Sequence, residues 1–233
     1  MSQNIHRIIE KQMSRWRIQR DSVQEVRRGP FVPANVITLS NAFGSNGVGI
    51  AHKVGEMLDV PVYDREIVEH IATTAKVRLD TVQTLDEVVQ NEIDGYVAAL
   101  FRERRFDEGD YLNALTHTIM ALWGHGPCVL IGRGAAHIVS HRHSLAVRVL
   151  ATTPFRLRFV QELEGVDEEG ARRKIQRMDT EREQFIRRLF NAEIDDALVY
   201  DLVVNRTGMT DEGCAGMIVE AYKRKLSDPA GGK

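Results

Sequence analysis

Five short apolar runs, separated by stretches with helical periodicity, predict an α/β protein: a five-stranded parallel sheet flanked by helices. Two further observations point the same way. A glycine-rich turn joins the first run to the helix after it, at the end of a strand where open parallel sheets bind their ligands. The 233 residues are 43% hydrophobic and 27% charged, enough apolar material for a large core and too much for a disordered chain.

The chain opens with a basic stretch, in which residues 1–28 hold seven Lys/Arg against three Asp/Glu. Ile5, Ile8, Ile9, Gln12, Met13 and Trp16 recur at the i, i+3, i+4 spacing of one helical face. Gly29, Pro30 and Pro33 then stop the helix and stiffen a connector. Residues 1–33 therefore read as an amphipathic N-terminal arm. Its stripe suits packing on its own domain or on a second copy better than a membrane surface, because Glu10 and Asp21 interrupt the basic face.

Val36 to Ser40 is β-branched and apolar, the signature of a buried strand. Ile50, Val54, Met57 and Leu58 space out a helix after the turn. A second strand is expected over Val60–Tyr63, with Asp64 capping the helix that carries Ile67, Val68 and Ile71. From Leu79 to about Trp123 no strand run stands out, which predicts two helices broken near the charged stretch Arg102–Asp110. Further strands are expected at Pro127–Ile131, Leu145–Leu150 and Tyr200–Asn205, and a last helix through Met217, Ile218, Ala221 and Tyr222. This makes one domain over residues 34–227, with a disordered tail at 228–233.

Composition removes several function classes. A net charge of -2 and 6% aromatics give neither the basic excess nor the stacking surface of a nucleic-acid-binding protein. No apolar run approaches the roughly 20 residues of a membrane span. The polar start is unlike a secretory signal, and Cys128 and Cys214 match no metal or redox spacing. A reducing cytoplasm is the expected setting. His137, His141 and His143 lack a nearby acid or Cys to complete a metal set, so they read as a solvated turn and no metal ligands are expected. Trp16 and Trp123 read as packing residues. Asp86 and Glu87 are adjacent, so on a helix they point apart and make a poor acid–base pair.

Three features carry chemistry. The turn Gly44-Ser45-Asn46-Gly47-Val48-Gly49 can present backbone N–H groups at a helix start to an anion, although a strand-to-helix turn of this composition can also be purely structural. It lacks the Lys-Ser/Thr pair of GxxxxGK[ST]. Gly132-Arg133-Gly134 ends the third strand, and a guanidinium there suits a phosphate, a base edge or a surface salt bridge. A dinucleotide fold is disfavoured, because the third glycine is missing and no acid ends Leu145–Leu150. Finally, residues 167–190 form a helix capped by Asp167, with an apolar stripe through Ile175, Met178, Phe185 and Leu189. It carries Arg172, Arg173, Lys174, Arg177, Arg182, Arg187 and Arg188. Such a run is usually a solvated face, yet several arginines over a phosphate site are what phosphoryl transfer needs.

Taken in order, these segments resemble the cytidylate kinase-like family of P-loop nucleoside monophosphate kinases over about Val36 to Tyr222. Ser40 to Gly47 aligns with the family's strand end, aromatic residue and glycine turn; Pro61-Val-Tyr63-Asp64-Arg65-Glu66-Ile67 matches its Pro-x-Tyr-Asp-x-Glu-Ile. Leu85-Asp86-Glu87, Gly132-Arg133-Gly134-Ala135, the Asp-x-x-Arg at Asp179 and Arg182, and Tyr200-Asp201-Leu202 match as well. The resemblance implies a three-layer P-loop kinase fold with a helical monophosphate and lid region. It also implies transfer of the ATP γ-phosphoryl group to CMP or dCMP, with Mg²⁺. On it, Gly44, Ser45, Asn46, Gly47, Val48 and Gly49 hold ATP phosphates, while Asp64, Arg65 and Arg133 hold the monophosphate. Arg182, positioned by Asp179, acts on the transferring group together with Arg133. Arg177, Arg187 and Arg188 are its lid helpers, and Arg158 is a further arginine of the family pattern.

The chain departs from that pattern with Asn41-Ala42 and Val48-Gly49 where the family has Arg-Glu twice. The turn thus has no fixed cation and no Ser/Thr at the usual magnesium position. The alternative is therefore a nucleotide-binding or regulatory protein without turnover, docking a partner through its N-terminal helix. Small nucleotides, and a second copy meeting that helix, are the expected partners.

Overall fold

The computed structural model describes residues 2–23, 36–85, 87–103 and 110–227. The connector glycine and prolines, Asp86 and the tail at 228–233 lie outside the described residues. The chain divides into two compact units, one of residues 35–62 and 128–233, the other of residues 1–34 and 63–127.

The first unit carries the sheet. β1 (Val36–Asn41) lies in its middle, and the strand order is β2 (Val62–Tyr63), β3 (Val129–Ile131), β1, β4 (Ser144–Leu150) and β5 (Leu202–Asn205). β1 pairs in parallel with β3, with Ile37 opposite Val129, and with β4, with Leu39 opposite Val147. Between α2 (Gly47–Leu58) and α10 (Asp211–Ser227) on one side and the strands on the other, Ile37, Leu39, Val147 and Val149 meet Ile50, Val54 and Ile218 in a closed core. Strands covered on both faces have no use for polar alternation, which is why they read as continuous apolar runs. The chain leaves β1 for one edge, returns to β3 and crosses β1 to reach β4. The carboxyl end of β1 therefore sits where the winding changes direction, the usual place for a ligand crevice.

Several strands are shorter than expected. β5 starts at Leu202, not Tyr200, because Asp201 replaces ladder pairing with its side chain: its N–H donates to Ala146 C=O at 2.8 Å, while its carboxylate accepts from Ala146 N–H at 2.8 Å. α7 (Ala135–Ile138), α8 (Thr153–Glu164) and α9 (Glu168–Phe190) complete the unit. Asp167 caps α9 as expected, accepting from Gly170 N–H at 2.8 Å. The buried face of α9 runs through Ala171, Ile175, Ile186 and Phe190, with Met178, Phe185 and Leu189 at its partly covered margin.

The second unit is helical: α1 (Ser2–Val23), α3 (Arg65–Thr73), α4 (Ala75–Gln83), α5 (Glu87–Glu103) and α6 (Asp110–Gly124). α6 supplies the densest core, with Leu112, Leu115, Ile119 and Leu122 fully buried. Two helices were expected here after Leu79, but α4 is a third, starting before that residue. It was hard to read because Leu79 is exposed and contributes no stripe. The Thr84 hydroxyl donates to Thr81 C=O at 2.6 Å beyond its last turn. α1 buries Ile9, Met13 and Trp16, whereas Ile8, expected on that face, is 46% exposed. Trp16 stacks on His125 at 3.8 Å and 6°. Among the described residues, no helix is long and apolar enough to cross a membrane.

Candidate functional site

The turn after β1 owes its shape to three constraints. Gly44 takes φ +82°, a conformation closed to most side chains, and a Cβ there would lie 3.1 Å from Arg156 O and Val160 Cγ2. Asn46 takes φ 53° immediately before α2, and its amide donates to Asp211 Oδ2 at 2.7 Å instead of capping the helix. A Cβ on Gly47 would lie 2.4 Å from Asn41 Cβ. The first N–H groups of α2, on Gly47, Val48 and Gly49, have no partner within the helix, and the dipole adds positive potential at that end. Ser45 is fully buried, its hydroxyl donating to Ala42 C=O at 2.8 Å and approaching Val149 C=O at 3.3 Å. It thus shapes the turn from behind.

Cationic side chains reach the turn from α8 and α9. Arg182 Nη1 donates to Asn41 C=O at 2.6 Å, and its guanidinium lies 5.5 Å from the Phe43 ring centre. Lys174, paired with Glu164, lies 6.0 Å from the same ring. Arg156 Nε donates to Phe43 C=O at 2.6 Å, and its Nη2 pairs with Asp179 Oδ2. Asp179 Oδ1 accepts from Phe43 N–H at 3.1 Å. The Asp179 carboxylate, implied as the partner of Arg182, is thus engaged by Arg156 and the turn backbone. Arg156 was not singled out from the sequence. The resemblance pointed to Arg158, which is exposed, whereas Arg156 is the α8 arginine that turns inward.

The remaining candidates are distributed. Arg133, at φ 50° between two positive-φ glycines, ends β3 with its guanidinium 5.0 Å from the ring centre of Phe185 on α9. Asp64 and Arg65 belong to the helical unit, where Asp64 Oδ1 accepts from Glu66 and Ile67 N–H, both at 3.0 Å, and so caps α3. Arg177 and Arg187 are exposed and pair with Glu181 and with Glu183 and Glu193; Arg188 is exposed too. Pairing holds the Arg187 guanidinium above its ordinary pKa and the Glu193 carboxyl below its own. A buried arginine that the sequence reading passed over, Arg148 on β4, donates to Ser40 Oγ and Asp195 Oδ1, both at 2.7 Å. The signal for it was an arginine inside an apolar strand.

The histidine cluster departs from expectation. His137 is buried and stacks on Phe190 at 5.0 Å, so it is a core residue, while His141 is exposed with Asp201 Oδ1 at 3.8 Å. Burial, with Arg142 as a smaller influence, holds His143 below the usual imidazole range. Cys128 and Cys214 are both buried free thiols, and burial pushes both pKa values up. Magnesium bound with a nucleotide takes most of its ligands from phosphate and water. Among the described residues, no group of three His, Cys, Asp or Glu could hold a metal ion by itself.

The sequence profile of the cytidylate kinase-like family matches residues 36–208. No curated protein matches the chain. Among solved structures, an uncharacterized protein from Eubacterium ventriosum is 21% identical with a TM-score of 0.64, the match covering 82% of this chain and 98% of that one. A shikimate kinase from Bacteroides thetaiotaomicron matches at 13% identity and a TM-score of 0.40, over 83% of this chain and 99% of that one. A dephospho-CoA kinase from Campylobacter jejuni matches at 8% and 0.35, over 82% and 97%.

Proposed function

The chain belongs to the cytidylate kinase-like family, and from that premise we propose that it transfers the γ-phosphoryl group of ATP, taken as its magnesium complex, to CMP or dCMP. The observation that carries this reading is the convergence of Arg182 and Arg156, from two helices, on a glycine turn whose helix-start N–H groups have no partner within α2. The N–H groups of Gly47, Val48 and Gly49 bind triphosphate oxygens, and Gly44, Ser45 and Asn46 give the turn its curve. Val48 stands where an ordinary P-loop carries its lysine, so charge has to come from outside the turn. Arg182 supplies it. On substrate binding its guanidinium leaves Asn41 C=O for the transferring phosphoryl, whose charge it stabilises as it spreads over the equatorial oxygens. Asp179 holds the turn. Arg133 grips the monophosphate. A non-bridging anionic oxygen of the acceptor's phosphate attacks the γ-phosphorus, forming the new phosphoanhydride bond as the bond from the γ-phosphorus to the β,γ-bridging oxygen breaks, and that oxygen leaves with ADP.

A second reading has its own support. Without a cation in the turn, and with Asp179 spent on the Phe43 peptide, the chain binds nucleotide but does not turn it over. The experiment that separates the two follows ADP and nucleoside diphosphate formation with each common monophosphate, alongside calorimetric titration with ATP and CMP. Diphosphate formed from CMP or dCMP supports the kinase. ATP binding with no product supports the second reading, and no binding removes both.

A further inference from the structure

We propose that Arg156 and Asp179 form a clasp that reads the Phe43 peptide from both sides and sets the shape of the phosphate-binding turn. This makes Arg156 a positioning residue for the nucleotide phosphates. One ring of contacts carries the inference. Phe43 N–H donates to Asp179 Oδ1 at 3.1 Å, Asp179 Oδ2 pairs with Arg156 Nη2, and Arg156 Nε donates to Phe43 C=O at 2.6 Å. Each end of one residue's backbone is thereby tied to the same ion pair, whose partners come from α8 and α9.

The ring is anchored as well as drawn from two helices. The Phe43 side chain packs against Leu157, Val160, Ala171 and Ile175, the small core between α8 and α9. Gly44 follows in its left-handed conformation with the space for a Cβ already taken by Arg156 O and Val160 Cγ2. Arg156 itself is largely buried, with 13% of its side chain exposed, so its contacts escape most solvent screening. Charge-assisted hydrogen bonds are stronger than neutral ones, and a forked guanidinium fixes direction as well as distance. The turn between Asn41 and Gly49 contains no charged side chain. The charged contacts that hold its curve therefore come from outside, and movement of α8 against α9 is transmitted to the N–H groups that face phosphate. The consequence for ATP rests on the phosphate-binding reading of the turn; the clasp itself does not.

The test uses the full chain without ligand and follows by NMR the amide hydrogen exchange of Phe43, whose N–H the clasp holds, and of Ser45, whose N–H donates to Ala42 C=O at 3.2 Å, then titrates ATP calorimetrically. In R156K, which keeps the charge but loses the fork whose two nitrogens reach the two acceptors, the turn amides should exchange about tenfold faster or more while β1 and β4 amides stay unchanged. ATP affinity should fall by a similar factor. D179N provides the same test with a smaller effect, since its side-chain oxygen still accepts from Phe43 N–H, and covers the case in which R156K fails to fold. Wild-type protection of the turn in the folded variants would overturn the clasp. Faster exchange with unaltered ATP affinity would overturn the positioning role. Faster exchange in a protein that binds no ATP even as wild type would leave the clasp standing and remove the phosphate reading of the turn.

Discussion

Gly132, Arg133 and Gly134 follow β3 with φ of 74°, 50° and 69°, and the middle one carries a long side chain in a region that disfavours it. A non-glycine residue held in this conformation costs on the order of 1–3 kcal/mol, and such strain collects where a side chain must be aimed. Here it aims a guanidinium at the ring of Phe185 on α9. Arg133→Ala should therefore weaken CMP binding about tenfold or more by calorimetry, and an unchanged affinity would remove Arg133 from the site. Gly134 answers to packing. A Cβ there would sit 2.2 Å from the Phe190 ring, so Gly134→Ala should lower stability by about 2–4 kcal/mol in urea unfolding. The glycine–arginine–glycine pattern was visible in the sequence, but the aromatic residues that fill its surroundings lie more than fifty positions away and were not. Nor was the choice between Arg156 and Arg158, which depends on which side of α8 faces the turn.

At the scale of elements, Trp16 ties α1 to its unit through two rings, Tyr63 at 6.3 Å and His125 at 3.8 Å. The neutral His125 ring stacks on Trp16, with Nε2 3.1 Å from Thr84 Oγ1 and 3.3 Å from Thr81 C=O. The Thr84 hydroxyl proton goes to Thr81, so Nε2–H is the donor to Thr84. Burial lowers the His125 pKa from 6.5 to about 4, against a smaller opposing effect of Thr81 C=O. The folded state thus keeps the ring neutral while the unfolded chain takes up a proton as pH falls through 6.5. The contribution is fully present above that pH and is lost progressively on the way down to about 4. The protein should lose about 2 kcal/mol between pH 7.5 and pH 5 from this group, measured by urea unfolding. His125→Phe, which keeps a ring for Trp16 and cannot titrate, should flatten that part of the profile. The arm's stripe was legible from spacing, and Trp16 was correctly read as a packing residue. Its partner was not, because stacking on a residue 109 positions later leaves no local trace.

For the whole molecule, the sheet was the most legible part. Buried parallel strands are apolar along most of their length, and that requirement writes itself into Val36–Leu39, Val129–Ile131 and Leu145–Leu150, with Thr38 and Arg148 as buried polar exceptions. Strand order and the clasp are long-range outcomes. The hydrogen bonds from the turn to Arg156 and Asp179 span 113 and 136 positions, and no pattern of neighbours encodes them. The most direct test of phosphoryl transfer by the whole chain mixes the protein with ATP, Mg²⁺ and each of CMP, dCMP, UMP, AMP and GMP while following the diphosphates. The proposed transfer predicts product from CMP or dCMP, with turnover reduced about a hundredfold or more in Arg182→Ala. Diphosphate from none of the five acceptors, or full turnover in Arg182→Ala, would contradict it.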